Sequence, residues 1–171
     1  MGINYVPALI LISSLLWLDV PFVRQSEQGC GAATIAMVMQ YWSAKGHRVN
    51  SSATDAIQIM QQLYSEEAGG IRANDVRRYL TEHEFQTFVF SGDLSDIRNH
   101  IEKGRPLITA LETNGNPGKF HYLVVVGIDE EQKLVLVNDP SERKLFKMTM
   151  DDFEARRRAT DHWTLLALPE K

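Results

Sequence analysis

From Cys30 to Trp42 the chain reads CGAATIAMVMQYW, thirteen residues without a charge. Ala33, Met37 and Tyr41 share one helical face, and Ile35, Val38 and Trp42 fill much of the rest. A helix that is apolar all round is stable only when something packs on every side of it. Whatever this chain folds into must therefore wrap around this segment. Gly46 ends the helix, with Lys45 in its last turn. A chain of 171 residues is long enough to bury such an element inside one domain. The expected division is an apolar N-terminal segment over 1–18 and a single domain over 19–171.

The remaining periodicities change character midway. In the first half, LWLDVPFV (16–23) reads as a strand or extended segment. An amphipathic helix is expected from Ser51 or Ser52, either of which can cap it, to Tyr64, with Ile57, Met60, Gln61 and Tyr64 at helical spacing. After a loop over 65–70, a helix over 74–82 turns Val76, Tyr79 and Leu80 inward. A strand covers 85–90, and a helix over 93–103 carries Leu94, Ile97 and Ile101 on one stripe before Gly104. The second half is strand-like and rich in β-branched residues at 106–111, 121–128, 134–137 and 162–168. A Gly/Pro/Asn loop is expected over 112–119, a turn over 129–133 and a last short helix over 149–158. Helices grouped first and antiparallel strands second are the mark of an α+β fold.

Composition removes several function classes. A net charge of −4 and a pI near 5.7 argue against a nucleic-acid surface. The longest basic run, Arg156-Arg157-Arg158, follows Asp151, Asp152 and Glu154 and reads as the last turn of a solvated helix. One cysteine excludes an internal disulfide and a thiolate-rich zinc site. No His/Asp/Glu cluster has metal-ligand spacing, so neither a metal nor a cofactor is expected. VPALILISSLLWL (6–18) is apolar enough for a signal-peptide core, but no Lys or Arg precedes it and no small-x-small cleavage site follows. It is too short to span a membrane as a helix. A buried strand, an interfacial segment and the remnant of a longer precursor are all open, and export or membrane association through this segment is favoured over a cytoplasmic location.

The single thiol stands where loop becomes helix. A structural cysteine is commonly a small buried hydrophobe. At a helix N-terminus, however, unpaired N–H groups and the positive end of the dipole favour a thiolate. Gly29 and Gly31 flank it, which is expected to let backbone and substrate approach the sulfur. A cysteine nucleophile needs a histidine beside it. His47, His83, His100 and His162 read most simply as surface or half-buried polar residues. His121 instead opens the most hydrophobic strand, directly after the Gly-rich loop. If HYLVVVGI and LVLV form a hairpin across DEEQK, His121 lies opposite Asp139 or Pro140. The Asp139 carboxylate could then orient the ring, although Asp-Pro is also a common turn opening. Asn138, one residue earlier, faces the other way. The oxyanion formed during attack needs two donors: the Cys30 N–H and an upstream amide, for which Gln25 has more room than Gln28.

With these residues assembled, the sequence resembles a known family. VPFVRQSEQGCGAATIAMVMQYW resembles the opening motif of the C39-like cysteine peptidases, and HYLVVVGID and VLVNDP resemble their later His and Asp motifs. The resemblance implies a papain-like fold, with an N-terminal helical half built on a buried central helix that starts at the cysteine and a C-terminal antiparallel sheet half. It implies Cys30 as nucleophile, His121 as general base and acid, Asp139 as the orienting residue and Gln25 in the oxyanion hole. Many members place that glutamine six residues before the cysteine, where this chain has Arg24. Members that process leader peptides after a double glycine are fused to an ABC exporter. This chain carries no G-x-x-x-x-G-K-[ST] loop, so a stand-alone relative is expected. The expected activity is hydrolysis of a peptide or protein substrate through a thioester. An acyltransferase or amidase on the same triad and a non-catalytic peptide-binding domain are the alternatives.

Overall fold

The computed structural model of the chain describes residues 15–170, so the apolar segment before Leu15 lies outside the described residues. The charge-free run forms helix α1 (Cys30–Ala44), and ten of its fifteen residues are buried. Burying Ile35, Met37, Val38 and Met39 contributes about 1.5–3 kcal/mol each relative to leaving them in water. Around α1 the chain lays down β1 (Leu15–Trp17), α2 (Ala56–Leu63), α3 (Ala73–Glu82), β2 (Phe85–Ser91) and α4 (Leu94–Glu102). It continues with β3 (Leu107–Thr113), β4 (Asn116–Asp129), β5 (Leu134–Asn138), β6 (Phe146–Thr149), α5 (Met150–Arg157) and β7 (Trp163–Pro169).

Among the described residues the seven strands form one antiparallel sheet in the order β2-β7-β3-β4-β5-β6, with β1 paired to the far end of β4. The first strand of the sheet begins at Leu15, inside the apolar segment, for which a strand is one of the open readings. The sheet is covered on both faces. Val124 and Val126 of β4 join the core around α1, α2 and α3. Leu123 and Val125 join a second core with Ile97 and Ile101 of α4 and Phe153 of α5. This is why LVVV reads as a continuous apolar run and does not alternate: successive side chains point to opposite, equally dry faces. The helices do not all sit in one half, since α4 and α5 cover the face remote from α1.

Three local expectations are corrected. The segment 51–64 is a 3-10 turn (Ser51–Thr54) followed by α2, capped by Asn50 and Asp55 and not by Ser51 or Ser52. Asp55 Oδ1 accepts hydrogen bonds from the N–H groups of Ile57 and Gln58, which starts the helix four residues late and turns its face. Ile59 is the buried residue, while Ile57 is 66% exposed. The expected loop over 112–119 is mostly strand: β3 runs to Thr113 and β4 starts at Asn116, so a tight turn with Gly115 at φ +74° closes a long hairpin. Finally, Arg157 is not solvated but fully buried. Its guanidinium donates to the Gly92 and His162 carbonyls and to Thr164 Oγ1, and pairs with Glu154 at 2.7 Å. The acceptors gathered at the end of β2 and the start of β7 draw it inward.

Candidate active site

Helix α1 and the hairpin strand β4 pack directly against each other, which carries Cys30 to the start of the exposed part of β4. Cys30 is the first residue of α1 and is half-buried. The two glycines beside it serve the protein's own packing more than substrate approach. A Cβ on Gly31 would stand 2.9 Å from Ile71 Cβ, and one on Gly29 only 2.6 Å from Ser26 Oγ. Small residues here let the helix start lie flat against its neighbours, which fixes the direction of the Cys30 side chain.

The His121 ring and the Cys30 thiol line the same cleft, near enough to act on each other's ionisation. On its other edge the ring Nε2–H donates to Asp139 Oδ1 at 2.7 Å. Nδ1 is thereby the nitrogen left to the sulfur. The hairpin register differs from the expected one. A bulge between Val125 and Gly127 shifts the ladder, and pairing ends at Val124 with Asn138. Continuing that register would set Asp139 against Leu123, not His121. Asp139 reaches the ring because the chain turns sharply just beyond β5, with Glu142 N–H donating to the Asp139 carbonyl at 3.0 Å. Asn138 points elsewhere: its amide donates to Val20 O, and its oxygen accepts from Leu145 N–H.

Two contributors were not foreseen from the sequence. Ser141 holds the carboxylate through its N–H (2.9 Å) and Oγ (2.8 Å), both donated to Asp139 Oδ1. The D-P-S spacing, with a donor two residues after an aspartate, carried that signal. The second is the backbone N–H of Tyr122, which together with that of Gly31 approaches the Cys30 sulfur. Only the register of a folded hairpin could have revealed it.

Electrostatics follow from these contacts. Burial opposes ionisation of the Cys30 thiol, but the hydrogen bond and charge of His121 and the two N–H groups outweigh it, and its pKa falls below the ordinary value of 9.0. Burial would lower the pKa of His121, yet Asp139 and Cys30 raise it to about 9. For Asp139, burial is overcome by His121 and Ser141, which hold its carboxyl below the ordinary value. Burial, followed by the charges of Cys30 and Asp75, pushes the Tyr122 hydroxyl well above its ordinary value. Both shifts run in the direction of a thiolate beside an imidazolium.

The amide of Gln25 lines the same cleft as Cys30. Its backbone N–H donates to Pro140 O at 3.0 Å, while its side-chain oxygen is buried without a hydrogen-bond partner. Arg24 points away, its guanidinium bonding the carbonyls of Ser141 and Glu142. Gln28 is committed to the hydroxyl of Tyr64, whose proton its Oε1 accepts. The four remaining histidines have local partners: His47 packs edge-on to Trp42, His83 stacks on Tyr79, His100 lies by Phe90 and His162 faces Glu154. The cleft itself, about 590 Å³, is lined by residues 68–72 of the helical half and 118–122 of the hairpin.

Comparison with known proteins agrees with this architecture. The model of the Peptidase_C39 like family matches residues 17–164. A Bacillus anthracis protein assigned to the C39-like peptidases superposes with a TM-score of 0.72 at 15% identity, covering 92% of this chain and 98% of that one. The double glycine motif protease of an AMS/PCAT transporter, solved with a leader peptide, gives 0.65 at 20% identity over 90% and 94%. The peptidase domain of Streptococcus ComA, a bifunctional ABC transporter of a quorum-sensing pathway, gives 0.67 at 16% over 88% and 98%. No curated protein sequence matches the chain. With most of its length matched, the chain belongs to the Peptidase_C39 like family and shares the papain-like α+β fold of these peptidases.

Proposed function

We propose that this C39-like protein is a cysteine peptidase that hydrolyses peptide bonds through a thioester. The observation that carries the reading is the His121 ring held between two partners, Asp139 on Nε2 and the Cys30 thiol at the head of a buried helix, all beside an open cleft. The Cys30 thiolate attacks the scissile carbonyl carbon, and a C–S bond forms as the carbonyl oxygen becomes an oxyanion. The Cys30 N–H, which has no partner within its helix, and the Gln25 amide donate to that oxygen. The C–N bond then breaks as the imidazolium gives its proton to the departing amine. Neutral His121 next takes a proton from water, whose oxygen attacks the thioester carbon; the C–S bond breaks, the acid leaves, and the Cys30 thiolate and His121 imidazolium are restored. Asp139 keeps the ring oriented and stabilises its charged form.

Two features support this assignment of roles: the lowered thiol pKa and the raised imidazole pKa. The substrate is a peptide or protein segment threaded in extended form between the two walls of the cleft. A peptide library incubated with the protein, with and without added amine acceptors, tests the reading. New carboxyl termini that appear without amine, and that vanish with Cys30→Ala, are expected. Amide products formed only with added amine would identify an acyltransferase, and peptide retention without any product would identify a binding domain.

A further inference from the structure

We propose that the cleft reads a carboxylate on its peptide substrate, close to the scissile bond, through Lys119 and Arg72; this deepens the peptidase reading and rests on it. The chain as a whole is acidic, at −4. The cleft is the reverse: Lys119 and Arg72 line it and no Asp or Glu does. The two cations come from different walls. Lys119 stands two residues before His121 on β4, and Arg72 follows Ile71, whose side chain abuts Gly31 next to Cys30. Both line the cleft that a peptide with its carbonyl at Cys30 would occupy.

Their partners leave them free to act. Lys119 is exposed and has no ion-pair or hydrogen-bond partner among the described residues. Glu112, behind the same hairpin, spends an oxygen on the Gly118 N–H at 2.8 Å. Arg72 pairs at 2.6 Å with Glu67, which is itself highly exposed. An exposed pair of this kind contributes little stability, so a substrate carboxylate can take the place of Glu67. Lys119 is the cleft-lining charge that no partner offsets, and Arg72 becomes a second once a substrate carboxylate displaces Glu67.

The test reads binding on the full chain with Cys30→Ala, so that turnover does not intervene. The probes are positional sets of short peptides in matched Glu and Gln versions, each with a free or an amidated C-terminus. At low salt the Glu versions are expected to bind about tenfold tighter, with the advantage shrinking as salt rises. Lys119→Glu, at an exposed hairpin position, is expected to reverse the preference, and Arg72→Gln to reduce it. A preference that follows the free C-terminus and not the side chain keeps the cations as carboxylate readers and assigns them the end of the peptide. Equal binding of all versions, no binding of any, or a preference untouched by Lys119→Glu would overturn the proposal. If acidic peptides bind selectively but the unaltered protein leaves them uncut, the peptidase reading fails alone. If neutral and acidic peptides are bound and cut equally, the carboxylate proposal fails alone.

Discussion

His121 Nε2–H meets Asp139 Oδ1 at 2.7 Å although the ladder between their strands stops before it reaches either residue. The contact is made by a turn and not by strand pairing. Its geometry therefore depends on what holds the turn, namely Ser141 and the Arg24 guanidinium on the carbonyls of 141 and 142.

The charge and the orienting role of Asp139 can be separated. Asp139→Asn keeps an acceptor oxygen but removes the charge that raises the His121 pKa. It is expected to cost less activity than Asp139→Ala, for which a loss in kcat of about a hundredfold or more is expected. Both variants should move the alkaline limb of the rate profile downward. Steady-state kinetics on the two variants check this.

The pH dependence of peptide cleavage follows from the direction of the two shifts. The thiol ionises below its ordinary value of 9.0, so activity rises as pH climbs through that lowered pKa. The imidazolium is lost near 9, so activity falls there because the departing amine no longer finds a proton. A bell-shaped kcat/KM profile with its alkaline limb near 9 is expected. Both limbs belong to the coupled pair.

Ser141→Ala removes one of two donors to Asp139 Oδ1 and keeps the backbone N–H. Stability should fall by about 0.5–1.5 kcal/mol, the range for one hydrogen bond. The alkaline limb should move down with it, which a purely structural loss would not produce. Denaturant unfolding and the pH profile report the two effects separately.

Arg157 is a stability residue. Replacing it with Met removes the guanidinium from the Gly92 carbonyl and from the Glu154 carboxylate. A destabilisation of about 3–5 kcal/mol is expected, as for a broken buried pair. Thermal unfolding of Arg157→Met measures it.

Much of this was legible because local chemistry and burial agreed. The charge-free run at 30–42 could only be an inside helix, and the stripes of α3 and α4 name their own inward residues. The cysteine and its histidine stood out because a helix start and the mouth of an apolar strand are special positions. Other features were hidden because they depend on tertiary context. The bulge at Val125–Gly127 is silent in a run of valines, and α2 starts late because Asp55 outcompetes the serines as a cap. Arg157 hides within a basic run because what decides its fate lies on β2 and β7. The Tyr122 N–H carries no side-chain signature at all. That Arg24 would engage the carbonyls of the turn over 139–142 left no trace in the sequence, since the turn forms only in the fold.

The central claim is that His121 activates the Cys30 sulfur in an open cleft, and the rate of Cys30 alkylation by iodoacetamide against pH tests it most directly. The account predicts fast single-site reaction with an apparent pKa below 9.0, returning to the ordinary thiol value in His121→Ala. An inert thiol, or one that titrates at the ordinary value with and without His121, would contradict it.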